Sequence, residues 1–285
     1  MPDNYYTLIT GASEGLGKAF ALECGKRNMN LILVALPDSG LYELADFIRR
    51  NFNVLVEVFE KDLTDSTSCR ELFQEVQRQK LRIRILINNA GLGSTLLFGE
   101  GSTELFEKQI KLNVLATTIL TRLFLDNLER NTPSYILNVG SMASFFFLPK
   151  KQVYGGTKSY IHFFSKSLRK EVKRDGIHVS VLCPGGINTN LSVTLLNKTG
   201  PWMSKISIMN PEEVAPIAIN GLLKRKAVIV PGIINKFFMM LDKLLPDIIK
   251  TRLTDYTMSR LKTDNHYAQM LNRQSIEAAT ITKVA

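Results

Sequence analysis

A chain of 285 residues, 45% hydrophobic and 22% charged, carries enough apolar material for one large core or two smaller ones. Its three cysteines, Cys24, Cys69 and Cys183, lie far apart with no Cys-x-x-Cys pair, so neither a disulfide framework nor a zinc site is implied and a reducing compartment fits best. The net charge of +10 comes from scattered Lys and Arg whose denser groups (78–84, 166–174, 224–226) fall in or beside helical patterns; solvated faces explain it, and a nucleic-acid partner is not expected.

No basic-then-apolar leader precedes the first strand pattern, and no apolar run reaches the roughly 18 residues that a membrane-spanning helix needs. A cytoplasmic location is the expectation. The run Tyr5-Tyr6-Thr7-Leu8-Ile9 reads as a strand ending at Thr10-Gly11. A glycine turn, Gly11-Ala12-Ser13-Glu14-Gly15-Leu16-Gly17, follows and leads into a helical pattern through Phe20, Leu22 and Cys24. In that context Gly11 and Gly15 let backbone approach a pyrophosphate, whose charge meets free amides at the helix start. Gly17 lets helix and strand pack closely. The spacing is Thr-Gly-x-x-x-Gly-x-Gly rather than the commoner Gly-x-Gly-x-x-Gly, and a purely structural turn is the alternative.

Further strands are expected at 30–35, 54–60, 83–87, 134–139, 178–182 and 227–230. Helices alternate with them at 39–52, 66–78, 103–125, 153–175 and 211–224. Apolar strands alternating with helices predict an α/β fold, a doubly wound, mostly parallel sheet of about seven strands covered on both faces. No repeat or linker breaks the series, so residues 1–232 read as one domain. Residues 233–253 suggest two short amphipathic helices interrupted at Pro246, and 254–285 are polar with scattered Leu and Met. This extension, 233–285, is expected to pack on its own domain or on a partner subunit, with interfacial membrane contact the less favoured reading.

Two features suggest chemistry. Tyr154 and Lys158 stand i and i+4, so a helix puts both on one face. A phenol titrates near ~10, and an adjacent ammonium stabilises its anion. Ser141 follows the apolar run Tyr135–Val139, which places its hydroxyl at a strand's carboxyl end, where open α/β sheets bind ligands. An ordinary exposed Tyr–Lys pair is the alternative.

Thr10-Gly11-x-x-x-Gly15-x-Gly17, Asn88-Asn89-Ala90-Gly91, Ser141, Tyr154-x-x-x-Lys158 and Pro184-Gly185-x-Ile187-x-Thr189 occur in one order along the chain. In this it resembles the short-chain dehydrogenase/reductase family, from Tyr5 to about Pro231, and within it the branch of 3-ketoacyl reductases and 17β-hydroxysteroid dehydrogenases. The resemblance implies an oxidoreductase that interconverts a carbonyl and a secondary alcohol with NADP(H) or NAD(H) and no metal. It implies Tyr154 as general acid/base, Lys158 as the group lowering the tyrosine pKa and holding the nicotinamide ribose, and Ser141 as the partner of the substrate oxygen. Asn113 would anchor a water relay behind the lysine; capping of nearby backbone is its structural alternative. The turn Gly11, Ser13, Glu14, Gly15, Leu16 and Gly17 would hold the pyrophosphate, Asp62 and Leu63 the adenine, and Asn89, Ala90 and Gly91 the ribose side. Pro184, Gly185, Ile187 and Thr189 would hold the carboxamide and pyrophosphate. Asp62 also suits a solvated turn, and Ile187 loop packing.

After the second strand the sequence reads Ala35-Leu36-Pro37-Asp38-Ser39, with no Arg or Lys for a 2′-phosphate and no acid at the first position, so the choice of dinucleotide stays open. Ser39 is expected to cap the next helix. Phe145-Phe146-Phe147-Leu148 and a lid at about 190–210 suggest an apolar substrate, acyl or steroid-like, although core packing explains the phenylalanines as well. A homodimer or homotetramer is expected. The alternative to an enzyme is a cofactor-binding regulator that has lost its chemistry, against which the complete Asn-Ser-Tyr-Lys set argues.

Overall fold

The computed structural model describes residues 5–188 and 207–244, together with 251, 252 and 255. Seven strands, β1 (Tyr5–Thr10), β2 (Asn30–Ala35), β3 (Val56–Glu60), β4 (Arg82–Asn88), β5 (Ser134–Val139), β6 (Ile177–Leu182) and β7 (Val228–Ile229), form one parallel sheet in the order 3-2-1-4-5-6-7. The order reverses between β1 and β4, which opens a crevice at their carboxyl ends.

The strands are apolar on both sides because each side has its own core. Ile9, Leu31, Leu33, Ile87 and Leu137 face helices α1 (Gly15–Lys26), α2 (Leu41–Asn51) and α7 (Pro211–Leu223), through Phe20, Ile48 and Leu222. Their strand neighbours Leu8, Ile32, Val34, Leu86 and Ile136 point the other way. They meet α3 (Ser66–Arg78), α5 (Thr117–Arg130) and α6 (Gln152–Glu171), through Leu72, Phe124 and Leu168. Phe20 and Phe124 are fully buried, and such a side chain stabilises by roughly 1.5–3 kcal/mol.

Three local expectations change. The single helix expected over 103–125 is α4 (Thr103–Ile110) and α5, joined by a π-helical turn at Lys111–Ala116. Helix α2 starts at Leu41 because Gly40 takes a left-handed conformation (φ 73°). Ser39 therefore does not cap it; its hydroxyl donates to Leu36 O at 2.6 Å. By contrast Asp65 caps α3, accepting from Thr67 N at 2.8 Å, and Pro211 opens α7 at a position that needs no N–H donor.

The compact unit runs to Leu241, so it takes in most of helix α8 (Ile233–Leu244), which the sequence reading assigned to the extension. Residues 242–285 group as a second unit. Most of the expected lid, the second amphipathic helix and the polar tail lie outside the described residues. Among the described residues no helix is long and apolar enough to cross a membrane, and no group of three His, Cys, Asp or Glu could hold a metal.

Candidate active site

The glycine turn is built by close approach. Gly11 (φ 63°) and Gly15 (φ 51°) are left-handed, a conformation that L side chains rarely adopt. A Cβ on Gly17 would lie 1.9 Å from Gly11 O, and one on Gly11 would lie 2.9 Å from Ala90 Cα. Asn89 locks the turn: its side-chain amide donates to Thr10 O (2.9 Å) and Gly11 O (3.1 Å), while Thr10 Oγ1 accepts from the Asn89 and Ala90 amides at 3.0 Å each. Glu14 occupies the N-cap of α1 without a side-chain hydrogen bond to the helix, so no cap competes for its first-turn amides. Ser13, Glu14 and Gly15 line an open cleft of about 460 Å³ with Asn188, Asn210 and Pro211. A turn with glycines at its points of closest approach, leading into a helix start without a capping side chain, suits a dinucleotide pyrophosphate.

Other residues of the expected cofactor set are held in different ways. Leu16 and Leu63 are buried in the two cores. Asp62 accepts from Thr64 N (2.9 Å) and Thr64 Oγ1 (2.7 Å), closing its own turn. Pro184 O accepts from Met142 N at 2.8 Å, and Ile187 forms a parallel bridge with Met209. Thr189 lies outside the described residues.

Ser141, Tyr154 and Lys158 converge at the end of β5. Ser141 is extended (φ −164°), and its Oγ accepts from Ala143 N at 3.1 Å. The same hydroxyl is close enough to the Tyr154 phenol to favour its ionised form. One turn along α6, Lys158 Nζ donates to Val139 O at 2.8 Å and lies 5.8 Å from the Tyr154 ring centre. Gly91 passes so close that a Cβ there would lie 3.4 Å from Lys158 Nζ and 3.1 Å from Asn113 Oδ1.

Asn113 sits in the π-helical turn, the kind of local rewinding that often marks a functional site. Its Oδ1 accepts from Leu92 N (2.8 Å), and its Nδ2 donates to Leu92 O (3.0 Å) and Thr157 Oγ1 (3.0 Å). Thr157 Oγ1 in turn donates to Tyr154 O at 2.7 Å, so Asn113 ties the strand-end loop to the helix carrying the tyrosine.

Burial raises the Tyr154 pKa above its ordinary value, opposed by the nearby Ser141 hydroxyl. Burial also brings the Lys158 ammonium down to about 8, with the adjacent Cys183 acting in the opposite direction. The expected depression of the phenol pKa by Lys158 is not the net effect in the protein alone. Desolvation dominates, and the ammonium is bonded to a carbonyl rather than to the phenol oxygen.

Three contributors lie outside the residues singled out from the sequence. Lys151 Nζ donates to Thr95 Oγ1 (2.8 Å) and stands 5.3 Å from the Tyr154 ring centre. Gln109 donates to Ser94 Oγ at 2.9 Å, holding the same loop. Asn235, on α8, donates to Pro231 O (2.9 Å) and Ser207 O (3.1 Å), and a Cβ on Gly185 would lie within 2.8 Å of its Oδ1. A lone asparagine in the apolar run 233–241 was the signal for the last; the others carry no local signature.

Residues 6–199 match a family model described as short chain dehydrogenase. The chain belongs to the short-chain dehydrogenase family. It is accordingly an NAD(P)-dependent oxidoreductase. Among similar proteins, an uncharacterized oxidoreductase of Staphylococcus saprophyticus is 27% identical, the match covering 75% of this chain and 89% of that protein. The very-long-chain 3-oxoacyl-CoA reductase of Rattus norvegicus is 29% identical over 66% of this chain, which spans only 61% of that protein. A solved short-chain dehydrogenase from Sphingobium yanoikuyae in complex with NADPH superposes with a TM-score of 0.73 at 30% identity, covering 80% of this chain and 88% of that one.

Proposed function

We propose that this short-chain dehydrogenase interconverts a carbonyl and a secondary alcohol on an apolar substrate, acyl or steroid-like, with Tyr154 as the proton donor and acceptor. The observation that carries the reading is the convergence of the Ser141 hydroxyl and the buried Tyr154 and Lys158 at the carboxyl end of β5. The glycine turn, the 89–91 backbone, Lys158 and the Pro184–Ile187 loop would hold the dinucleotide, whose nicotinamide gives or takes the hydride when bound.

In reduction Tyr154 gives its proton to the carbonyl oxygen as negative charge develops there, and Ser141 donates to the same oxygen. A raised phenol pKa keeps that proton on Tyr154 at neutral pH. Lys158 would stabilise the phenolate left behind, and Asn113 and Thr157 hold the helical turn that carries Tyr154. An apolar substrate is supported by Phe145 and Phe146, which pack against Met142 next to Ser141, and by the acyl substrate in the name of the rat relative.

Tyr154→Phe tests the reading. Turnover across a panel of ketones and acyl thioesters should fall by roughly 10²–10⁴, while NADH or NADPH still quenches intrinsic fluorescence with unchanged affinity. Full turnover by the variant removes the proposal.

A further inference from the structure

The two faces of α8 are built from different chemistry. Its inward residues join the domain: Asn235, 2% exposed, holds Pro231 O and Ser207 O, while Phe238 and Met239 pack on the cluster of Met142, Ile161, Val181, Cys183 and Val230. A surface helix ordinarily turns charge outward. Here Ile233 (85% exposed), Phe237 (60%) and Met240 (59%) make one outward stripe at i, i+4 and i+7, flanked by the exposed Lys236. Phe147, next in the chain to Phe146 of the same cluster, is 84% exposed.

We propose that this face docks on the headgroup layer of an anionic lipid bilayer. An apolar stripe bordered by cations is the composition of an interfacial helix. Lys236 is the one charged residue within 233–241, so nothing there opposes a negative surface, and the chain carries +10 overall. A second copy is the rival occupant, and it would need a shape-complementary patch of ~800 Å² on each partner. A lipid surface requires no shape complementarity, and with no spanning helix among the described residues the contact is peripheral. The inward face of α8 reaches Met142 and Cys183, the chain neighbours of Ser141 and Pro184, so docking would bring the mouth of the site to the bilayer. This placement rests on the apolar-substrate reading above; the docking itself does not.

The test is flotation of the full chain with phosphatidylcholine vesicles, with and without phosphatidylglycerol. The expected result is binding to the anionic vesicles that declines with salt. Phe237→Ser with Met240→Ser should weaken partitioning by about tenfold or more, and Lys236→Glu should weaken it on anionic vesicles. The charge variant leaves the apolar packing alone and keeps the test intact if the serine variant fails to fold. Absence of binding by the unaltered chain, binding untouched by both variants, or a dimer in light scattering that the serine variant disperses would each overturn the proposal. Turnover of a small water-soluble ketone should be unchanged in both variants. Its absence from the unaltered chain counts against the oxidoreductase reading and leaves the flotation result standing.

Discussion

Lys158 is buried with its ammonium on the Val139 carbonyl, and its pKa of about 8 lies below the ~10.4 of an unfolded lysine. Between these values the unfolded chain binds more protons than the folded one, so stability rises with pH across that window. Below about 8 both states are protonated and the full cost of burial, on the order of 3 kcal/mol, is present. Urea titrations from pH 7 to 10.5 should show this rise in the unaltered protein and a flatter profile in Lys158→Met. A second residue-scale expectation concerns Glu60, whose Oε1 accepts from Asp38 N at 3.2 Å at the carboxyl end of β2. A carboxylate there opposes a 2′-phosphate, so Glu60→Gln should shift the ratio of NADPH to NADH dissociation constants toward NADPH by about fivefold, roughly 1 kcal/mol. Tyr154 and Lys158 were legible because one helical turn in sequence is one turn in space. Glu60 was not, because only the pairing of β2 with β3 brings it to Asp38.

At the scale of elements, apolar runs located the strands because the inner ones, β1, β2, β4, β5 and β6, are largely buried on both faces. The π-helical turn was invisible, since the hydrophobic pattern runs unbroken from α4 into α5. Its consequence is the position of Asn113, which satisfies both backbone groups of Leu92. Asn113→Ala should cost roughly 1–3 kcal/mol for each group left unpaired, read as a lower thermal midpoint, and turnover should drop further than stability alone explains. Asn113→Asp, which can still accept from Leu92 N, should fall between the two proteins.

For the whole molecule, a parallel sheet covered on both faces follows from strand–helix alternation, which the sequence displayed throughout, whereas the strand order and its reversal between β1 and β4 do not. The tie between α8 and the loop at 207–209 did not follow, because an asparagine far along the chain reaches back to the Ser207 carbonyl, which no periodicity connects to it. Asn235→Ala should lower stability by roughly 1–3 kcal/mol and raise KM for the carbonyl more than it lowers kcat, in steady-state kinetics with saturating dinucleotide. A protease cut just after Pro231 would leave Asn113, Ser141, Tyr154 and Lys158 all in place. Yet it would free the Ser207 carbonyl from the amide that holds it and strip the cover from Met142 and Cys183. Such a clipped protein would carry the whole catalytic set on a ledge open to solvent.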